Sequence, residues 1–102
     1  MEEKLKGIGT ELRKQIQERD KRCVYCSDAL GPFEIDHVRA RRFGGHDDAT
    51  NLVLACQRCN QLKGAQSVDR FLARLQQVKE GKLEIVVKRL GTYKRYTFRR
   101  KR

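Results

Sequence analysis

Apolar residues first recur at Leu5, Ile8, Leu12 and Ile16, spaced three, four and four apart. That spacing lays one stripe along a helix, and core packing is its plainest reading. Gly7 and Gly9 weaken the first turns, so Thr10 is the expected cap of a helix over about 11–20. The period then shortens. Phe33 to Val38 reads as a short strand with a polar end, and Leu52-Val53-Leu54-Ala55, preceded by Thr50-Asn51, as a second. A short helix is expected to start near the last cysteine pair and to carry Asn60 and Lys63 one turn apart on one face. The clearest helix covers about 68–80. Ser67 caps it, Val68, Phe71, Leu72, Leu75 and Val78 trace an apolar face, Asp69 lies in the first turn, Lys79 in the last and Gly81 just beyond. Leu83 to Val87 and Tyr93 to Phe98 are β-prone on either side of Gly91, which predicts a C-terminal hairpin. Arg99-Arg100-Lys101-Arg102 reads as a mobile basic tail. The expected fold class is α+β, in one domain over 1–102. Its parts are an N-terminal helix (1–22), a core (23–66), a second helix (67–81) and a basic hairpin and tail (82–102).

A chain of 102 residues with 38% hydrophobic content is folded rather than disordered, yet small enough for a structural metal to help. No apolar run approaches the roughly 20 residues that span a bilayer, and Met-Glu-Glu-Lys lacks a signal peptide's apolar core. The expectation is a soluble protein of a reducing compartment with no membrane partner. The net charge of +11 is lopsided: residues 82–102 carry nine Lys/Arg against one Glu, net +8. Such a field calls for a polyanion, most simply nucleic acid, although charge of this kind also serves solubility alone. On the hairpin, Lys88, Arg89, Lys94 and Arg95 are expected to line a phosphate track while the other face packs on the 68–80 helix. Arg99 and Arg100 add to the same basic surface.

Cys23-Val-Tyr-Cys26 and Cys56-Gln-Arg-Cys59 are two C-x-x-C pairs. In a reducing compartment they read as one tetrahedral zinc site, one ion per chain, rather than as disulfides. Four thiolates leave no open coordination position, so this zinc is structural. The gap between the pairs, residues 27–55, is longer than in an ordinary zinc ribbon. A staple closing that gap would bring Asp36 and His37 near Asn60. A carboxylate and a carboxamide suit Mg²⁺ or a similar ion, and a neutral imidazole beside it takes a proton from water. Those are the parts of metal-assisted phosphodiester hydrolysis. Adjacent strand residues point to opposite faces, so Asp36 and His37 serve one site only if the strand bends or ends there.

Cys23-x-x-Cys26, Ile35-Asp36-His37, Gly44-Gly45, Asn51-Leu52-Val53-Leu54, Cys56-x-x-Cys59-Asn60 and Lys63-Gly64 together resemble the zinc-stapled HNH endonucleases, over about residues 12–64. The resemblance implies a ββα-metal core around one catalytic divalent ion, Mg²⁺ or Mn²⁺. It implies His37 as general base, Asp36 and Asn60 as ligands of the catalytic metal, and Asn51 as the residue that fixes the loop and orients His37. Asn60 stands where many members have histidine. Lys63 would contact a phosphate, and Arg39, Arg41 and Arg42 would add to the nucleic-acid surface. His46 matches no functional position. The implied protein hydrolyses DNA, duplex above all, by nicking or double-strand cleavage. It would act in the cytoplasm of a bacterial or phage-infected cell, alone, as a homodimer or within a larger nuclease or packaging assembly. Two other readings stay open: a non-catalytic zinc-stapled nucleic-acid-binding module, and an adaptor docking by its basic tail. The intact set Asp36, His37, Asn51 and Asn60 favours the nuclease, since a binding module needs only the cysteines and the basic residues.

Overall fold

A computed structural model describes residues 8–102; Leu5, Gly7 and the first residues of the apolar stripe lie outside them. Helix α1 runs Thr10–Asp20. Its N-cap is Gly9, in an extended conformation and without a side-chain cap bond, so Thr10 is the first helical residue rather than the cap. Ile16, 1% exposed, is the anchor of the stripe and packs with Leu52 and Leu54, flanked by Ile8 and Leu12. The C-terminal turn is bolted to the chain further on. Arg19 donates to the carbonyls of Ala49 and Leu52, and Asp20 Oδ2 accepts from the Leu54 amide at 2.9 Å.

Strands β1 (Phe33–His37) and β2 (Leu52–Cys56) pair antiparallel, from Phe33 opposite Cys56 to His37 opposite Leu52. β1 ends at His37, and the 38–51 connection carries one 3₁₀ turn, Arg41–Phe43. Helix α2 (Gln57–Lys63) follows β2 without a loop. Cys56 caps it, its Sγ accepting from the Cys59 amide at 3.4 Å. Helix α3 (Val68–Lys79) starts at the predicted Ser67 cap, whose hydroxyl accepts from the Arg70 amide at 3.2 Å. Phe71 is fully buried at the second core, among Ala55, Leu62 and Cys59, while Leu72 stays partly exposed. Its ring meets Tyr25 edge-on at 5.3 Å and Phe98 at 6.4 Å, geometries that aromatic quadrupoles favour.

Strands β3 (Leu83–Leu90) and β4 (Tyr93–Arg100) form the second sheet, an antiparallel hairpin. Gly91, at φ 68°, supplies the left-handed residue that a tight turn needs. Ile85, Tyr96 and Phe98 pack against the Phe71 core. The expected four-residue tail is shorter than its composition suggested. Arg99 and Arg100 are in β4 opposite Glu84 and Leu83, and the Lys101 amide still donates to the Lys82 carbonyl at 3.0 Å. Strand partners upstream extend the ladder where charge alone read as solvated chain. No helix among the described residues is long and apolar enough to cross a membrane.

Candidate metal centre and active-site groove

The first cysteine pair sits on a tight turn, where the Ser27 amide donates to the Cys23 carbonyl at 2.8 Å and the Cys23 amide to that of Asp28 at 2.9 Å. The second pair spans the end of β2 and the first turn of α2. The four Sγ atoms lie within 4.8 Å of one another. Zn–S bonds of about 2.3 Å imply tetrahedron edges of about 3.8 Å, and Cys26 Sγ stands 3.8 Å from Cys56 Sγ. All four cysteines are unpaired thiols, three of them buried. Burial, then the neighbouring thiolates of Cys23, Cys56 and Cys26, pushes the Cys59 thiol far above its ordinary value. Burial raises the Cys56 thiol as well, and a cation that displaces the protons of these two would complete the four-sulfur site. The cluster can therefore hold a metal such as zinc.

A groove of about 410 Å³ is lined by Asp36, His37, Arg41, Asn60, Gly64 and Ala65. Because β1 ends at His37, the two adjacent residues reach the same groove. Asp36 is 5% exposed, and its Oδ2 accepts from the Tyr25 hydroxyl at 2.6 Å and stands 3.2 Å from Lys63 Nζ. Burial pushes the Asp36 carboxyl up, with Tyr25 and then Lys63 opposing it. Burial and the bond to Asp36 keep the Tyr25 phenol protonated. Lys63 is fully buried and also donates to the His37 carbonyl at 2.9 Å. The expected phosphate contact is thus corrected. Packing of α2 on β1 draws the Lys63 stem inward, and its ammonium serves as counter-ion to Asp36.

His37 Nε2 is 2.6 Å from Asp47 Oδ1, which also accepts from Arg41 Nε at 3.0 Å. The hydrogen bonds from His37 and then Arg41 hold the Asp47 carboxyl below the usual carboxylate range. An ionised carboxylate only accepts, so Nε2 carries the hydrogen and Nδ1 is left as the basic nitrogen. Asn60 Nδ2 donates to Glu34 Oε1 at 2.5 Å, which leaves the amide oxygen uncommitted. Asn51 closes the 38–51 loop. Its Oδ1 accepts from the Arg39 amide at 2.9 Å, and its Nδ2 donates to the Arg39 and His46 carbonyls at 3.0 Å each. Gly45 lies so close under this closure that a Cβ there would meet the Arg39 carbonyl oxygen at 1.7 Å.

Asp36, His37 and Asn60 thus share one groove, and Asn51 stands behind it in the loop. Of the three loop arginines, Arg39 is tied to the Phe43 carbonyl at 2.6 Å, Arg41 to Asp47, and Arg42 lies over the Phe43 ring at 5.3 Å. Lys94 and Arg95 lie on the hairpin and Arg99 pairs with Glu84 at 2.6 Å, away from the groove-lining set. Tyr25, Glu34 and Asp47 escaped sequence reasoning. Glu34 carried one faint signal, an acid two residues before Asp36 on the same strand face. Asp47 carried none beyond its place in the Gly-Gly loop.

No curated protein and no solved structure matches the chain significantly. A family model described as HNH endonuclease matches residues 23–66, the stretch that holds both cysteine pairs and the groove from Asp36 to Gly64. Over residues 23–66 the chain is therefore similar to the HNH endonuclease family, a likeness that suggests a nuclease-family member.

Proposed function

We propose that the protein is a divalent-metal-dependent endonuclease that hydrolyses DNA phosphodiester bonds. One observation carries this reading: within the family-matched segment, a carboxylate, an imidazole and a carboxamide line one open groove. His37 takes the proton of the attacking water at Nδ1, because Asp47 holds the hydrogen on Nε2. Asp47 also fixes the ring and stabilises the imidazolium that forms. Asp36 Oδ1 and the Asn60 amide oxygen have no hydrogen-bond partner among the described residues, and as hard oxygens they fit Mg²⁺ or Mn²⁺. A divalent ion held there supplies charge neutralisation at the phosphate and at the leaving oxygen. The four thiolates hold a structural Zn²⁺ that takes no part in the chemistry.

The test is metal-titrated cleavage of supercoiled plasmid by the zinc-loaded chain. Cleavage is expected only with added Mg²⁺ or Mn²⁺. Asp36→Ala and Asn60→Ala should raise the metal concentration needed for half the maximal rate about tenfold or more. Cleavage that ignores added metal, or variants that track the parent, would overturn the reading. The non-catalytic alternative draws on the burial of Asp36 and its contact with Lys63; it predicts tight DNA binding with no cleavage under any metal.

A further inference from the structure

The hairpin outside the family-matched segment has a feature that its composition does not reveal. In an antiparallel pair, residues directly opposite share a face. The register sets Lys88 opposite Arg95 and Arg89 opposite Lys94. These are two like-charge pairs, side by side and on opposite faces of the same ribbon end. The Arg89–Lys94 pair shares its face with Ile85 and Phe98, which pack on the core; the Lys88–Arg95 pair lies on the outer face. Like charges directly opposite one another are unfavourable in an isolated sheet. None of the four makes an ion pair among the described residues. Glu84, the hairpin's one acid, lies at the far end and is paired with Arg99.

A flat anionic surface neutralises one face of a ribbon. A groove walled by phosphates neutralises both. We infer that the hairpin tip enters the major groove of B-form duplex DNA, with Lys88–Arg95 facing one phosphate wall and Arg89–Lys94 the other. The dimensions agree. A two-stranded ribbon fits a major groove about 12 Å wide and about 8.5 Å deep. Three strand steps from Val87 to Leu90 span about 10 Å. Leu90 and Tyr93 are opposite each other at the apex, 49% and 47% exposed; Leu90 brings apolar surface to the groove floor, while the Tyr93 hydroxyl accepts from Gln61 Nε2 at 3.1 Å. The deep groove of an A-form RNA duplex is too narrow for such a ribbon. Gln61 fixes the tip relative to the active-site groove. Its side chain donates to the Lys94 carbonyl at 2.9 Å and accepts from the Tyr96 amide at 2.7 Å, and its neighbour on α2 is Asn60.

The proposal rests on the nuclease reading for the presence of a duplex, but its test reads binding alone. Affinities of the zinc-loaded full chain are measured without added divalent ion, against a short DNA duplex and an RNA duplex of the same sequence, over a series of salt concentrations. A failed cleavage assay leaves these slopes untouched. Two variants are compared with the parent: Lys88→Gln with Arg95→Gln, and Arg89→Gln with Lys94→Gln. Each should flatten the log K against log salt slope on DNA by about 1.8, at about 0.9 per phosphate contact. DNA should bind at least about tenfold tighter than RNA. Both variants should melt no lower than the parent, because each removes a like-charge opposition. An unchanged slope in the Arg89/Lys94 variant, equal affinity for RNA, or a lowered melting temperature would overturn the inference.

Discussion

Lys63→Met separates a buried counter-ion from a phosphate contact. Methionine keeps most of the stem's volume and removes the charge. In the parent, Lys63 is fully buried 3.2 Å from Asp36, which is itself 5% exposed. Removing one partner of such a pair costs about 3–5 kcal/mol. A ceiling follows from proton uptake. At pH 7 the carboxyl escapes an uncompensated charge by protonating, which costs about 1.4 kcal/mol per pH unit over the roughly 3 units above an ordinary aspartate, or about 4 kcal/mol. The lost donor to the His37 carbonyl adds about 1 kcal/mol or more. At about 4–8 °C per kcal/mol for a domain near this size, a loss of about 4–5 kcal/mol should lower the melting temperature by about 16–40 °C. The deficit should depend on pH. Burial already raises the Asp36 carboxyl in the parent, and loss of Lys63 raises it further. A raised folded-state pKa gives stability that is present at low pH and lost as pH rises. The deficit should therefore shrink by up to about 1.4 kcal/mol between pH 7 and pH 6. The assay is thermal unfolding of the zinc-loaded chain in magnesium-free buffer at both pH values. Asp36→Asn added to the variant should recover part of the loss. A melting temperature within about 2 °C of the parent, with weakened DNA binding, would refute the counter-ion argument and restore the phosphate contact.

Gly45→Ala should lower the melting temperature by several degrees and abolish cleavage while zinc content stays at one per chain, because its Cβ would sit 1.7 Å from the Arg39 carbonyl oxygen and press on Asn51; unchanged cleavage would show that the loop gives way. Cys56→Ser should lose the metal and most cooperative unfolding, read by metal analysis and thermal melting, since zinc binding is folding free energy. Zinc uptake by the metal-free chain at pH 7 should release protons and strengthen as pH rises, because burial raises Cys56 and Cys59 and the ion must displace their protons; titration calorimetry in buffers of different ionisation enthalpy measures this. Asp47→Asn should slow single-turnover cleavage about 10- to 100-fold without changing DNA affinity, since it removes the carboxylate that holds His37 and leaves the base itself.

Elements with local codes were legible in the sequence. The C-x-x-C spacings, the Ser67 cap, the Gly91 turn and the alternating strands each write their structure within a few residues. The groove was legible in part, because the long gap between the cysteine pairs implied a closure that returns Asp36 and His37 towards Asn60. What escaped depends on pairings that no local pattern encodes. Asp47 reaches His37 only after Asn51 and Gly45 fold the loop back. Tyr25 reaches Asp36 only because the first cysteine turn is bound to β2, where the Val24 amide donates to the Leu54 carbonyl at 3.0 Å. The spacing of Asn60 and Lys63 gave a shared helix face but not its direction, and α2 turns Lys63 into the core. The like-charge opposition on the hairpin needed the strand register, which composition does not contain.

On the proposed reading, His37 is the base of a DNA-cleaving groove. Its most direct measurement is the single-turnover cleavage rate of plasmid by the parent and by His37→Ala, at equal zinc content, saturating Mg²⁺ and DNA bound in both. A positioned base supplies about 10²–10⁴-fold, so His37→Ala should lose a factor in that range with DNA affinity and melting temperature unchanged. A variant that cuts within about twofold of the parent would contradict it.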